Sequence, residues 1–109
     1  IESIDVKHGL INSKCYFINN KCAYASDINK IFKKDLKKFN NLSYFIVDCL
    51  RYKFHPSHFT FEDILKLKKV INPKKIILTN LNSEIDYSDL KKRLPKNIIP
   101  AYDGLSFLI

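Results

Sequence analysis

Three histidines and an aspartate carry the chemical interest of this sequence, because each falls on or beside a point where an apolar run gives way to a turn. His8 stands in V-K-H-G, where Gly9 frees the backbone to turn. Asp27 stands in Y-A-S-D, again just past a strand-like run. His55 and His58 share F-H-P-S-H, a loop stiffened by Pro56. Imidazole and carboxylate are the donors that divalent metals such as zinc take. In open α/β sheets such groups gather on loops beyond the carboxyl ends of strands. Each residue taken alone reads first as a polar loop side chain, and spacing alone does not make the set a site.

The elements that must position these groups follow from apolar periodicity. Ser3–Val6, Cys15–Ile18 and Cys22–Ala25 read as strands, and Asn19-Asn20 makes a hairpin turn because asparagine tolerates positive φ. Lys30–Phe39 is a basic stretch that reads as one short helix before the strand Tyr44–Val47. The strongest helix signal is Thr60–Ile71. Thr60 can cap the first amides, Glu62 and Asp63 complement the helix dipole, and Phe59 and Ile64 form a hydrophobic staple. Pro73 closes it. A buried strand at Lys75–Leu78 follows, then a helix at Tyr87–Leu94 capped by Asp86 and closed by Pro95. Ile98–Tyr102 and Leu105–Leu108 read as strands joined by the turn Asp103-Gly104. The order predicts an α/β or α+β fold with a mixed sheet and two main helices. With 109 residues the chain can cover one sheet, and a second layer has to come from elsewhere.

Bulk properties exclude several classes. The apolar content of 46% is that of a globular protein rather than a disordered tail. No apolar run approaches the ~18–20 residues of a membrane span, and no signal-peptide profile appears, so the expected location is cytoplasmic. Cys15, Cys22 and Cys49 fit neither a disulfide framework nor a C-x-x-C pair and read as reduced thiols in or near a core. Cys49 as a nucleophile finds no adjacent base or helix start. The net charge of +8 rests on 17 lysines and two arginines. Two lysine clusters, Lys30–Lys38 and Lys66–Lys75, are read as solvated faces, with nucleic-acid attraction as the alternative. No arginine strip or stacking platform supports RNA binding, and Tyr16, Phe17, Tyr44 and Phe45 read as core.

Read in order, H-G, Y-A-S-D, D-C-L-R-Y-K-F-H-P-S-H-F-T, I-I-L-T-N-L-N-S-E-I-D-Y and P-A-Y-D-G-L run through nearly the whole chain. Together they resemble the C-terminal half of metallo-β-lactamase-fold hydrolases, in the branch similar to phosphonate-pathway cyclic phosphodiesterases. The resemblance implies half of a four-layer αββα sandwich, residues 1–109 forming one partial domain. It implies a pair of divalent metals, zinc or manganese, and a phosphodiester substrate. His8 then matches a ligand to the first metal and Asp27 the carboxylate bridging both. His58 matches a catalytic histidine contacting the substrate phosphate or the leaving group, with His55 in the same motif and less defined. A bridging carboxylate suits that chemistry, because it holds two cations close around an acidified water.

Two departures stand out. The family's H-x-H-x-D-H motif is absent, and Asn80 in Leu78-Thr79-Asn80-Leu81-Asn82 holds the position of a histidine ligand. A neutral amide is a weak ligand for zinc or manganese. With His8 and Asp27 as the remaining ligands, the isolated chain is expected to bind metal weakly or not at all and to be inactive, a split or truncated hydrolase needing its N-terminal half. The alternative is a non-catalytic binding domain using its basic surface for nucleic acid or a protein partner. Exposed apolar sheet surface predicts association with itself or with the missing half.

Overall fold

The computed structural model describes residues 1–81 and 85–109. Six strands form one sheet in sequential order: β1 (Glu2–His8), β2 (Ile11–Ile18), β3 (Cys22–Ala25), β4 (Tyr44–Asp48), β5 (Lys75–Thr79) and β6 (Ile98–Pro100). The first three are antiparallel, with β1 and β2 joined at Gly9 and β2 and β3 at Asn19-Asn20, all at positive φ. From β3 to β6 the pairing is parallel, so each connection crosses over the sheet. A 3₁₀ helix at Lys33–Phe39, α1 (Phe61–Lys68) and α2 (Tyr87–Arg93) make these crossovers. The sheet is mixed, as expected, and β1, β2, β4 and β5 each run one to four residues beyond their expected ends.

Parallel crossovers are right-handed, and a run that always advances to the next strand therefore puts its helices on one face. Register shows which face. Phe17, Ala23, Phe45, Ile76 and Ile98 stand side by side across β2 to β6, and all join the core with Phe39, Ile64, Ile71 and Leu90 of the crossover segments. The Phe39 ring lies 5.2 Å from Phe17 and 4.8 Å from Phe45. The neighbouring row, Tyr16, Tyr24, Ile46, Ile77 and Ile99, points to the other face. There Tyr16 and Tyr24 are 45% and 39% exposed.

Some expectations are corrected. Phe17 and Phe45 are core, but Tyr16 is exposed and Tyr44 only half-buried. Helix α1 stops at Lys68 rather than Ile71. Its chain tightens into Lys69 N–H to Lys66 and Val70 N–H to Leu67 bonds, which deliver Ile71 into the core. Its start is secured by Asp63, whose carboxylate accepts the Thr60 amide at 3.0 Å and the Thr60 hydroxyl at 2.7 Å. Helix α2 ends at Arg93, and Asp86 caps it through the Asp89 amide. Beyond Pro100 the chain leaves the sheet. The turn at Asp103-Gly104 forms, yet Leu105–Leu108 is not a strand, and Phe107 instead stacks on Tyr44 at 4.1 Å. Asn82 lies outside the described residues.

Candidate metal centre

Strands β1, β3, β4 and β5 point the same way, so His8, Asp27, Asp48 and Asn80 all emerge at one rim of the sheet. Backbone hydrogen bonds stitch the loops there. Lys7 and Asn29 exchange partners with the 27–30 segment and β1, Phe59 N–H reaches Ile28 O at 2.7 Å, and Leu50 N–H reaches Phe59 O at 2.9 Å. Gly9 is required on two counts. Its φ is +65°, and a Cβ there would stand 3.0 Å from the Ser57 Cβ. The β1–β2 turn therefore packs directly on the H-P-S-H loop.

That packing brings His8, Asp27 and His58 together, with one donor atom from each within 4.8 Å of the others. The His8 and His58 rings meet edge-on, centroids 4.8 Å apart. Asp27 is exposed, and its loop is held where Ser13 Oγ donates to the Asp27 carbonyl. His55 joins at 5.0 Å from His58, but its Nδ1 accepts the Ser57 amide at 3.1 Å, a bond that shapes the loop. Partial desolvation, then the nearby Arg51, lowers the His55 pKa below the ordinary histidine value. Arg51 secures the same loop by donating to Lys53 O at 3.2 Å and Phe54 O at 2.8 Å. Tyr52 ties it to α2 by donating to Asp89 at 3.2 Å, with Arg93 over its ring at 4.9 Å.

Asp48 is the residue whose role the sequence hid. It ends β4 with no exposed surface, and its carboxylate takes three donors: His58 Nδ1, the Asn80 amide at 3.2 Å and the Ile28 N–H at 3.5 Å. Burial raises its pKa, and those three partners oppose the rise. The available signal was a carboxylate closing the apolar run Phe45-Ile46-Val47, a costly placement without dedicated partners. Asn80, at a φ of +59°, is thus turned toward Asp48. The three thiols are buried, with Cys15 and Cys49 pushed up to about 12 chiefly by desolvation.

Two imidazoles and a carboxylate fit one borderline divalent ion well. Among the described residues a second ion sharing Asp27 would have the Asn80 amide, which already serves Asp48, so this donor set fits a pair poorly.

No family model and no curated protein matches the sequence. Solved structures do match. A new diphosphatase from the PhnP family superposes with a TM-score of 0.92 at 24% identity, over 98% of this chain and 42% of that one. The metallo-β-lactamase-fold protein YhfI from Bacillus subtilis gives 0.73 at 13% identity, over 94% and 46%. Human tRNase Z, short form, gives 0.67 at 12% identity, over 94% and 39%. The chain therefore has the metallo-β-lactamase fold and spans less than half the length of these structures. Among the described residues no helix is long and apolar enough to cross a membrane.

Proposed function

We propose that this chain supplies one side of the active site of a metal-dependent phosphoester hydrolase, completed by ligands from the part of the fold it does not span. The observation that carries this is the convergence of His8, Asp27 and His58 at the strand ends, in a fold shared with a diphosphatase and a tRNase. A bound divalent ion would supply Lewis acidity and a water that ionises near neutral pH. His8 and Asp27 hold it. His58, its Nδ1–H fixed on Asp48, presents Nε2 toward the scissile phosphate, and once Nε2 has taken a second proton from solvent the imidazolium can pass that proton to the leaving oxygen. His55 shapes the loop that carries His58.

Donor count supports inactivity of the chain alone, since a catalytic zinc commonly has three protein ligands plus an open position and His58 is then needed for substrate. The test is hydrolysis of bis(p-nitrophenyl) phosphate with zinc or manganese. The chain alone is expected to show no turnover. Adding the polypeptide that bears H-x-H-x-D-H, sought first in the reading frame upstream, is expected to give turnover that His8→Ala and Asp27→Ala abolish. Turnover by the chain alone, or turnover indifferent to His8 and Asp27, overturns the proposal.

A further inference from the structure

The three histidines are sorted by what their Nδ1 atoms touch. His8 Nδ1 lies 2.8 Å from the Ser57 carbonyl, which can only accept, so that nitrogen carries the proton and Nε2 keeps its lone pair. His58 Nδ1 faces the Asp48 carboxylate, with the same result. His55 is the reverse. Its Nδ1 accepts the Ser57 amide at 3.1 Å, so its Nε2 bears the proton and cannot ligate in the neutral form. Two histidines thus present Nε2 lone pairs, and both belong to the cluster with Asp27. A ligating imidazole held from behind by a carboxylate or carbonyl is the usual arrangement around bound zinc.

We infer that this chain by itself binds one divalent ion, on His8, Asp27 and His58, with His58 serving as third ligand. This rests on the metal-site reading above but changes the role of His58 in the isolated chain, where it stands in for ligands supplied elsewhere. When those ligands arrive, His58 is released to the substrate. Tetrahedral zinc with bonds of ~2.0–2.1 Å needs donors roughly 3.4 Å apart. The donors here are within 4.8 Å, and the exposed Asp27 side chain has the freedom to close the difference. The stoichiometry is one because the second position has no imidazole available, with Asn80 engaged by Asp48 and His55 protonated on its outward nitrogen.

The experiment is calorimetric titration of the chelator-treated chain with zinc, with cobalt absorption spectra reporting the ligand field and circular dichroism confirming each variant's fold. One ion per chain is expected. Asp48→Asn, which removes no ligand, is expected to weaken binding roughly 10–100-fold, and His58→Ala to weaken it further and alter the cobalt spectrum. Lys91→Gln, at an exposed position of α2, is expected to leave affinity and spectrum in place. Two ions per chain, or wild-type affinity in His58→Ala, overturns the inference. If His8→Ala and Asp27→Ala abolish binding while His58→Ala does not, the site reading stands and only the role of His58 falls. Absence of binding by the unmodified chain also overturns the inference, and the supplemented phosphodiester assay then decides the functional reading separately.

Discussion

On one face of the sheet Phe17, Ala23, Phe45, Ile76 and Ile98 lie beneath the crossover helices, none more than 6% exposed; on the other, Tyr16 and Tyr24 remain 45% and 39% exposed. The same strands make both faces, so the difference comes from topology. The crossovers from β3 to β6 all advance in one direction, and the right-handedness general to such units places them on one face, so among the described residues the segment after Pro100 is what reaches the second face. There Phe107 stacks on Tyr44, and Cys22 and Ile77 are only 2% and 3% exposed, so the uncovered part of that face centres on Tyr16 and Tyr24. The covered face holds the apolar core, and the open face leaves Tyr16 and Tyr24 accessible. The candidate metal cluster at the rim draws on both: Asp48, which holds His58, lies in the register of the open face, while His8 follows Val6 of the covered one.

The largest way to break this comparison is to cut equal aromatic volume from each face. Phe45 is fully buried against Phe39, so Phe45→Ala is expected to cost ~3–5 kcal/mol. That is a large part of the ~5–15 kcal/mol that holds a domain. Tyr24→Ala, on the open face, is expected to stay within roughly 0.5 kcal/mol. Urea unfolding midpoints read both. Equal losses at the two positions would mean that the open face is as structural as the covered one.

The next effect lies in association rather than folding. Tyr16 and Tyr24 stand exposed beside the half-buried Ile46, an apolar patch of the kind that invites a partner, so the unmodified chain is expected to show concentration-dependent sedimentation. The double variant Tyr16→Glu, Tyr24→Glu is expected to weaken that association by roughly tenfold or more, ~1.4 kcal/mol, with the unfolding midpoint little changed. A chain that sediments as a monomer at every concentration removes the functional meaning given to the open face.

Legibility followed the same division. Alternation and turn residues placed all six strands, because β1 to β6 carry local signals such as Asn19-Asn20 and Gly9. The expected seventh, Leu105–Leu108, failed because an apolar run does not fix strand pairing; Phe107 finds its contact on Tyr44 across the sheet face, and Leu108 is 94% exposed. The gathering of His8, Asp27 and His58 at one rim was legible from strand-end position and motif. Asp48 was not, because a carboxylate needs its partners to be interpretable, and Asn80 and His58 lie 32 and 10 residues away. Asn80 was read as a lost ligand, and only the fold shows its amide holding Asp48.

The smallest effect leaves the fold untouched and separates the faces by chemistry. Cys22 belongs to the open-face row with Ile18, Tyr44 and Lys75, whereas Cys15 and Cys49 fall in register with the covered side. All three are buried, and desolvation raises every thiol pKa, to about 12 for Cys15 and Cys49. Burial by helices must be undone by unfolding, while burial under a partly covered face needs only local motion. Iodoacetamide at mildly alkaline pH is therefore expected to modify Cys22 in the native chain, with Cys15 and Cys49 reacting only at the rate of global unfolding, as peptide mass spectrometry would resolve. The effect is also expected to depend on concentration, since association across Tyr16 and Tyr24 would shield Cys22 and dilution would expose it. Uniform reactivity of the three thiols would show that the two faces open together, and the division of labour between them would not hold.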